Sequence, residues 1–180
     1  MWHDIWGNEN SLYLEWPTIT SGLERGKREM AYSLGKSSLA KLSTVDKKLW
    51  TVCQDAIKIS RIDFGVICGI RTLAEQEALL AKGATQTMKS KHLDGLAVDL
   101  MAYVSGRASW ELNLYDDIAD AMKEASRKNE IPIRWGAAWH IDDISKWTES
   151  MEDAMNSYID LRRSQGRRPF IDGPHFELAG

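Results

Sequence analysis

Asp99 stands in the run Ala97-Val98-Asp99-Leu100-Met101, where every neighbour is apolar. An ionised carboxylate in so apolar a strand costs several kcal/mol unless it is paired or bound to a metal. Taken alone, Asp99 is satisfied by a structural ion pair. His92 changes that reading, because it lies seven residues upstream with Gly95 between them to let the backbone turn sharply. A histidine on the loop entering a strand and a carboxylate within that strand can converge. Imidazole and carboxylate are both ordinary zinc ligands, and the spacing differs from the helical His-Glu-x-x-His arrangement. Further on, Asp172-Gly173-Pro174-His175-Phe176-Glu177-Leu178 sets an acid three residues before a histidine, with Gly-Pro fixing a tight turn. A catalytic zinc typically takes three protein ligands and leaves one position for water. His92, Asp99 and His175 supply three, and Asp172 is left as a general base.

These residues must be held by a scaffold, and the pattern of the chain predicts one. Val45, Leu49, Val52, Cys53, Ala56 and Ile57 recur at helical spacing, with Ser43 or Thr44 as the expected cap. Asp63 to Ile70 reads as a strand with Phe64, Val66 and Cys68 on one face. Thr72-Leu73-Ala74-Glu75 is a capping box opening a helix that stops at Gly83. Ala97 to Met101 is a strand on which Asp99 points away from Val98 and Leu100. Leu112, Tyr115, Ile118, Ala119, Met122 and Ala125 form one helical face, ended by Asn129 and Pro132. Ile131 to Trp135 reads as a strand, Glu149 to Arg163 as a helix, and His175 to Leu178 as a final strand. Helices mixed with short strands, without regular βαβ alternation, predict an α+β fold with a small antiparallel sheet flanked by helices.

Composition bounds the rest. A chain of 180 residues with 43% apolar and 27% charged residues suits one domain with a proper core. A net charge of -3 gives no whole-molecule drive toward nucleic acid. No secretory signal and no stretch of roughly 20 apolar residues stands out, so no membrane insertion is expected. Cys53 and Cys68 sit among apolar residues and are expected to be buried thiols. Residues 1–29 differ in character from the remainder of the chain. They carry Trp2, Trp6, Trp16 and the run Gly22, Arg25, Gly26, Lys27, Arg28, with no persistent periodicity. A docked arm and a binding segment both remain open for them.

The motifs are also recognisable together. Ser90-Lys91-His92-Leu93-Asp94-Gly95-Leu96-Ala97-Val98-Asp99 matches Ser-x-His-x-x-Gly-x-Ala-x-Asp in full. With Gly69-Ile70-Arg71-Thr72 upstream and Asp172 to Glu177 downstream, the chain resembles the D-alanyl-D-alanine carboxypeptidase/VanY-type metallopeptidase family. Within it, the chain is most similar to phage endolysins that cleave the L-alanyl-D-glutamate bond of peptidoglycan stem peptides. The resemblance runs from about Met30 to Gly180, which makes residues 1–29 an N-terminal extension and residues 30–180 the catalytic domain.

The resemblance implies a D-Ala-D-Ala carboxypeptidase/Hedgehog-like fold with the zinc site at the sheet, and Zn2+ as cofactor. It assigns His92, Asp99 and His175 as metal ligands, Asp172 as catalytic acid/base and Arg71 as the arginine that stabilises an oxyanion. A surface ion pair is the plainer explanation for Arg71. Ser90 and Trp139 are expected to face substrate, although a turn role also explains Ser90. Many members have Gly-Gly-Asp-Trp where this chain has Gly136-Ala137-Ala138-Trp139, so one carboxylate near the cleft is missing. His140, in Trp139-His140-Ile141-Asp142-Asp143, competes for the metal but belongs to no ligand motif and is read as structural or substrate-facing. The basic run Arg162, Arg163, Arg167, Arg168 is either a solvated face or a contact for anionic wall polymer. The implied activity is zinc-dependent hydrolysis of peptidoglycan by a monomer made in the host cytoplasm and released to the wall. The alternatives are a D-alanyl-D-alanine carboxypeptidase with the same site and a non-catalytic zinc-stabilised binding module.

Overall fold

The computed structural model describes residues 31–180, apart from 84 and 86; the expected N-terminal extension, residues 1–29, lies outside the described residues. The chain opens with two helices, α1 (Lys36–Leu42) and α2 (Lys47–Ile59). Leu49, Val52, Cys53, Ala56 and Ile57 of α2 are all buried, as their helical spacing predicts. The cap of α2 is Asp46, whose side chain accepts from the Lys48 N–H, and not Ser43 or Thr44. Those two hydroxyls instead donate to the Ala40 and Lys41 carbonyls and close α1.

Five strands form one antiparallel sheet: β1 (Asp63–Cys68), β2 (Ala97–Val104), β3 (Arg107–Ser109), β4 (Ile133–Trp135) and β5 (His175–Leu178). Their order is β1-β2-β5-β4, with β3 pairing β2 beside this path. Between β1 and β2 runs α3 (Leu73–Ala81), opened by the predicted capping box, in which Thr72 accepts from the Glu75 N–H and Glu75 from the Thr72 N–H. After β3 comes α4 (Leu112–Asn129), and α5 (Met151–Ser164) lies between β4 and β5. On the predicted apolar face of α4, Tyr115, Ile118, Ala119, Met122 and Ala125 are at most 1% exposed, whereas Leu112, placed on the same face by its spacing, opens the helix and is 36% exposed. It ends at Glu130, a left-handed residue with φ of 55°.

The core lies on one face of the sheet. Phe64, Val66, Val98, Leu100, Ala102, Ile133, Trp135 and Phe176 join the buried faces of the helices in one apolar cluster. Trp135 of β4 stacks on Phe176 of β5 at 6.2 Å between ring centres. Asp99 is on the other face of β2, as strand alternation requires, and pairs in register with His175 of β5. Cys68 departs from expectation. The β1–β2 register shifts between Val66 and Cys68, so Cys68 faces Asp99 instead of joining Phe64 and Val66. It is partly exposed, whereas Cys53 is buried; both are free thiols. Among the described residues, no helix is long and apolar enough to cross a membrane.

Candidate metal centre and active-site cleft

Three elements deliver three side chains to one point. His92 sits in a short 3-10 turn, Lys91–Asp94, which Ser90 caps from its side chain and Gly95 ends at φ of 67°. Asp99 comes from β2 and His175 from the start of β5, where Gly173 and Pro174 have just turned the chain. His92 Nε2 lies 3.0 Å from Asp99 Oδ1 and 3.2 Å from His175 Nδ1, and His175 Nδ1 lies 3.2 Å from Asp99 Oδ1. This triangle resembles one face of a zinc tetrahedron, whose edges are about 3.3 Å for N and O ligands at roughly 2.0–2.1 Å. The donor set therefore fits zinc in both chemistry and spacing.

The outer ring nitrogens are held by the protein. His92 Nδ1 donates to the Gly69 carbonyl at 2.7 Å, which leaves Nε2 free for the triangle. His175 uses its nitrogens the other way round: Nδ1 faces the triangle and Nε2 meets Glu177 Oε2 at 3.2 Å. Glu177 is itself held by Arg134 Nη1 at 3.2 Å. Carboxylate and carbonyl partners of this kind fix the tautomer and aim of a metal-binding histidine. The sequence motif contains Glu177 but gives it no task; its signal is the i, i+2 spacing from His175 along one strand face.

The electrostatics favour positive charge here. Burial disfavours charged imidazoles, but Asp99 together with Cys68 and Gly69 holds His92 up to about 10, and Asp99 together with Glu177 holds His175 up to about 8. Burial would likewise lift the Asp99 carboxyl, yet its bonds to His175 and His92 hold it well below the usual carboxylate range. The field that attracts a proton to these rings also attracts a cation.

Cys68 is a second possible third donor. Cys68, His92 and Asp99 place a sulfur, a nitrogen and an oxygen within 4.8 Å of one another. Its sulfur lies 3.8 Å from His92 Nδ1, the nitrogen committed to Gly69, and so stands beside the ring edge that points away from the triangle. The N/O triangle is the more coherent donor set.

The triangle opens into a cleft of about 590 Å³ whose walls include Arg71, Ser90, Trp139 and Asp172. Burial lifts the Asp172 carboxyl above its usual range and Asp99 adds to the lift, against His175, His92 and Arg71. Gly136 makes the Asp172–His175 turn possible. Its N–H donates to the His175 carbonyl, its carbonyl accepts from the Asp172 N–H, and a Cβ there would collide with the Asp172 carbonyl. Arg71 does form an ion pair, but a largely buried one: Nη2 donates to Asp99 Oδ2 at 3.1 Å with the side chain 12% exposed. Trp139 stacks on Phe170 at 6.4 Å and lies beside His175 at 5.5 Å. The structure thus gathers all seven predicted site residues around one cleft. His140 is elsewhere, exposed, bonded to Ser157 Oγ at 2.8 Å and stacked on Tyr158. Ala138, the position at which the resemblance led a carboxylate to be expected, is buried in the core.

The α+β scaffold is shared with a known peptidase. The crystal structure of the Serratia marcescens L-Ala D-Glu endopeptidase ChiX matches with a TM-score of 0.61 and 29% identity, covering 84% of this chain and 93% of that one. The L-alanyl-D-glutamate peptidase of Escherichia phage T5 is 33% identical over 153 residues, which is 83% of this chain and 99% of the relative. A model of the phage L-alanyl-D-glutamate peptidase family matches residues 30–179, and the chain belongs to that family.

Proposed function

We propose that the protein is a zinc-dependent endolysin that hydrolyses the L-alanyl-D-glutamate bond in peptidoglycan stem peptides. The observation that carries this reading is the His92–Asp99–His175 triangle, open to a cleft that also holds Asp172 and Arg71, in a chain of this peptidase family. Zinc held by the three residues supplies Lewis acidity, lowering the pKa of water and polarising an amide carbonyl. Asp172 accepts the proton of the attacking water on its carboxylate and returns it to the departing amine. Its raised affinity for a proton suits both halves of that task. Arg71 has five N–H donors, of which Nη1 meets Gln76 and Nη2 meets both Asp99 and the Cys68 sulfur. The remainder serve the oxyanion that develops on the carbonyl. Ser90 shapes the entry turn to His92, and Trp139 offers a flat apolar wall to the substrate. Residues 30–180 form the catalytic unit, made in the host cytoplasm and acting on the wall once released.

Purified muropeptides, digested and weighed by mass spectrometry, test the reading. Products severed between L-alanine and D-glutamate are expected, and their formation stops on chelation and resumes when zinc is returned. Loss of a terminal D-alanine instead would assign the chain as a carboxypeptidase. No cleavage by fully metallated protein would leave only a binding module.

A further inference from the structure

The one buried residue of α3 is polar. Gln76 is fully enclosed, while Leu73 and Leu80 of the same helix are 57% and 38% exposed. A short helix that leaves its leucines in solvent and buries a glutamine is not organised by apolar burial alone. Gln76 must be placed by its hydrogen bonds.

Those bonds reach two walls of the cleft. Gln76 Oε1 accepts from Arg71 Nη1 at 2.7 Å. Its Nε2 donates to the Thr87 carbonyl at 2.6 Å and to Thr85 Oγ1 at 3.3 Å. Chemistry fixes the amide's orientation, since a guanidinium only donates and a carbonyl only accepts. Thr85 and Thr87 line the cleft on the loop that runs into Ser90 and His92. Arg71 in turn meets Asp99 Oδ2, the oxygen that faces away from the histidines.

We propose that Gln76 is a positioning residue for the hydrolysis: one amide holds Arg71 in its working orientation with Oε1 and ties down Thr85 and Thr87 at the cleft wall with Nε2. This rests on the peptidase reading above, in which Arg71 meets the developing oxyanion. The two ends of the amide have separable consequences, one for turnover and one for substrate binding.

The test uses the full chain, saturated with zinc, and measures kcat and KM on muropeptides for wild type, Gln76→Met, Gln76→Glu, Arg71→Ala and the double variant Arg71→Ala/Gln76→Met. Gln76→Met keeps the volume and removes both ends; partners of this outer kind typically change activity about 10- to 100-fold, and a kcat loss in that range is expected. Gln76→Glu keeps the acceptor for Arg71 but sets an oxygen against the Thr87 carbonyl. Its kcat should return to within about threefold of wild type while KM rises. In the Arg71→Ala background, Gln76→Met should cost less than about twofold more in kcat, because the effect has already been removed. Equal losses from Gln76→Met in both backgrounds, or a Gln76→Glu kcat as low as that of Gln76→Met, would overturn the proposal. Should Gln76→Met fail to fold, Gln76→Glu decides alone: KM raised with kcat held supports it, and kcat lost with KM held sinks it. An inactive wild type would speak against the peptidase reading itself and shows before any variant is compared.

Discussion

Three carboxylates line the cleft, and each differs in what it touches. Asp99 lies against both histidines, Glu177 is held between His175 and Arg134, and Asp172 makes no ion pair among the described residues, so burial outweighs the more distant His175, His92 and Arg71. Substituting the first and last by asparagine therefore has opposite expected outcomes. Asp172→Asn keeps its zinc and loses about 10² to 10⁴ in kcat, the usual contribution of a general acid–base group. Asp99→Asn loses metal, because a neutral amide is a poor ligand and no longer charges the site. Zinc content measured beside peptidase rate checks both, and the reverse pattern would exchange the two roles. His140→Ala serves as the control and should retain its metal, since that ring packs on Tyr158 away from the cleft. Asp99 can be found from sequence because a charge in an apolar strand is anomalous wherever it occurs, and His92 by its spacing from Asp99 across Gly95. Gln76 and Cys68 cannot. The first looks like any helical glutamine until its enclosure is known, and the second turns toward Asp99 only because of a register shift that no local pattern announces.

Between α4 and α5 the packing leaves a carboxylate poorly satisfied. Asp116 is 9% exposed, and its Oδ1 has no hydrogen-bond partner among the described residues. Burial, with Glu152, Asp117 and Asp120 nearby, pushes its carboxyl up to about 6. The ordinary unfolded value is about 3.9. Between these two values the folded chain binds more protons than the unfolded one, so stability falls as pH rises through that window. The cost is fully present above about 6 and absent below the unfolded value. Asp116→Asn is accordingly expected to stabilise the protein at pH 7.5 by about 1 kcal/mol after partial solvent screening, a Tm rise of about 2–4 °C. At pH 4 the gain should largely vanish; thermal melts showing the same gain at both pH values would refute this account. The bounds of α4 and β5 are readable because a long amphipathic face and a short alternating run each have one natural solution. By contrast α1 and β3 are not legible in the sequence. Seven and three residues are too few to establish a period, and both elements depend on neighbours for their stability.

The family match begins at residue 30, and no candidate site residue precedes it. A chain starting at Met30 is expected to fold, bind zinc and cleave muropeptides at a rate within a few-fold of the full chain. Side-by-side melts and rates would check this. An insoluble or inactive truncation would mean that Trp2, Trp6 or Trp16 contributes to the catalytic unit. The boundary expected at residue 30 is legible in the sequence through the periodicity that begins only after it.

The position of β5 inside the sheet, between β2 and β4, constrains the order of events when the protein is made. Among the described residues β4 has no sheet partner but β5, and β5 also brings His175 to Asp99. On the ribosome the first two-thirds of the chain can emerge with β1, β2 and β3 paired, yet β4 must wait with open edges until residues 175–178 are free of the exit tunnel. Sheet closure and assembly of the cleft then occur in the same step. Non-local pairing of this kind is slow and exposes edges to aggregation. If His175 holds the metal as proposed, a nascent chain is expected to gain hydrolytic activity only when β5 is in place, and a ribosome stalled before His175 to display an inert intermediate with open strand edges.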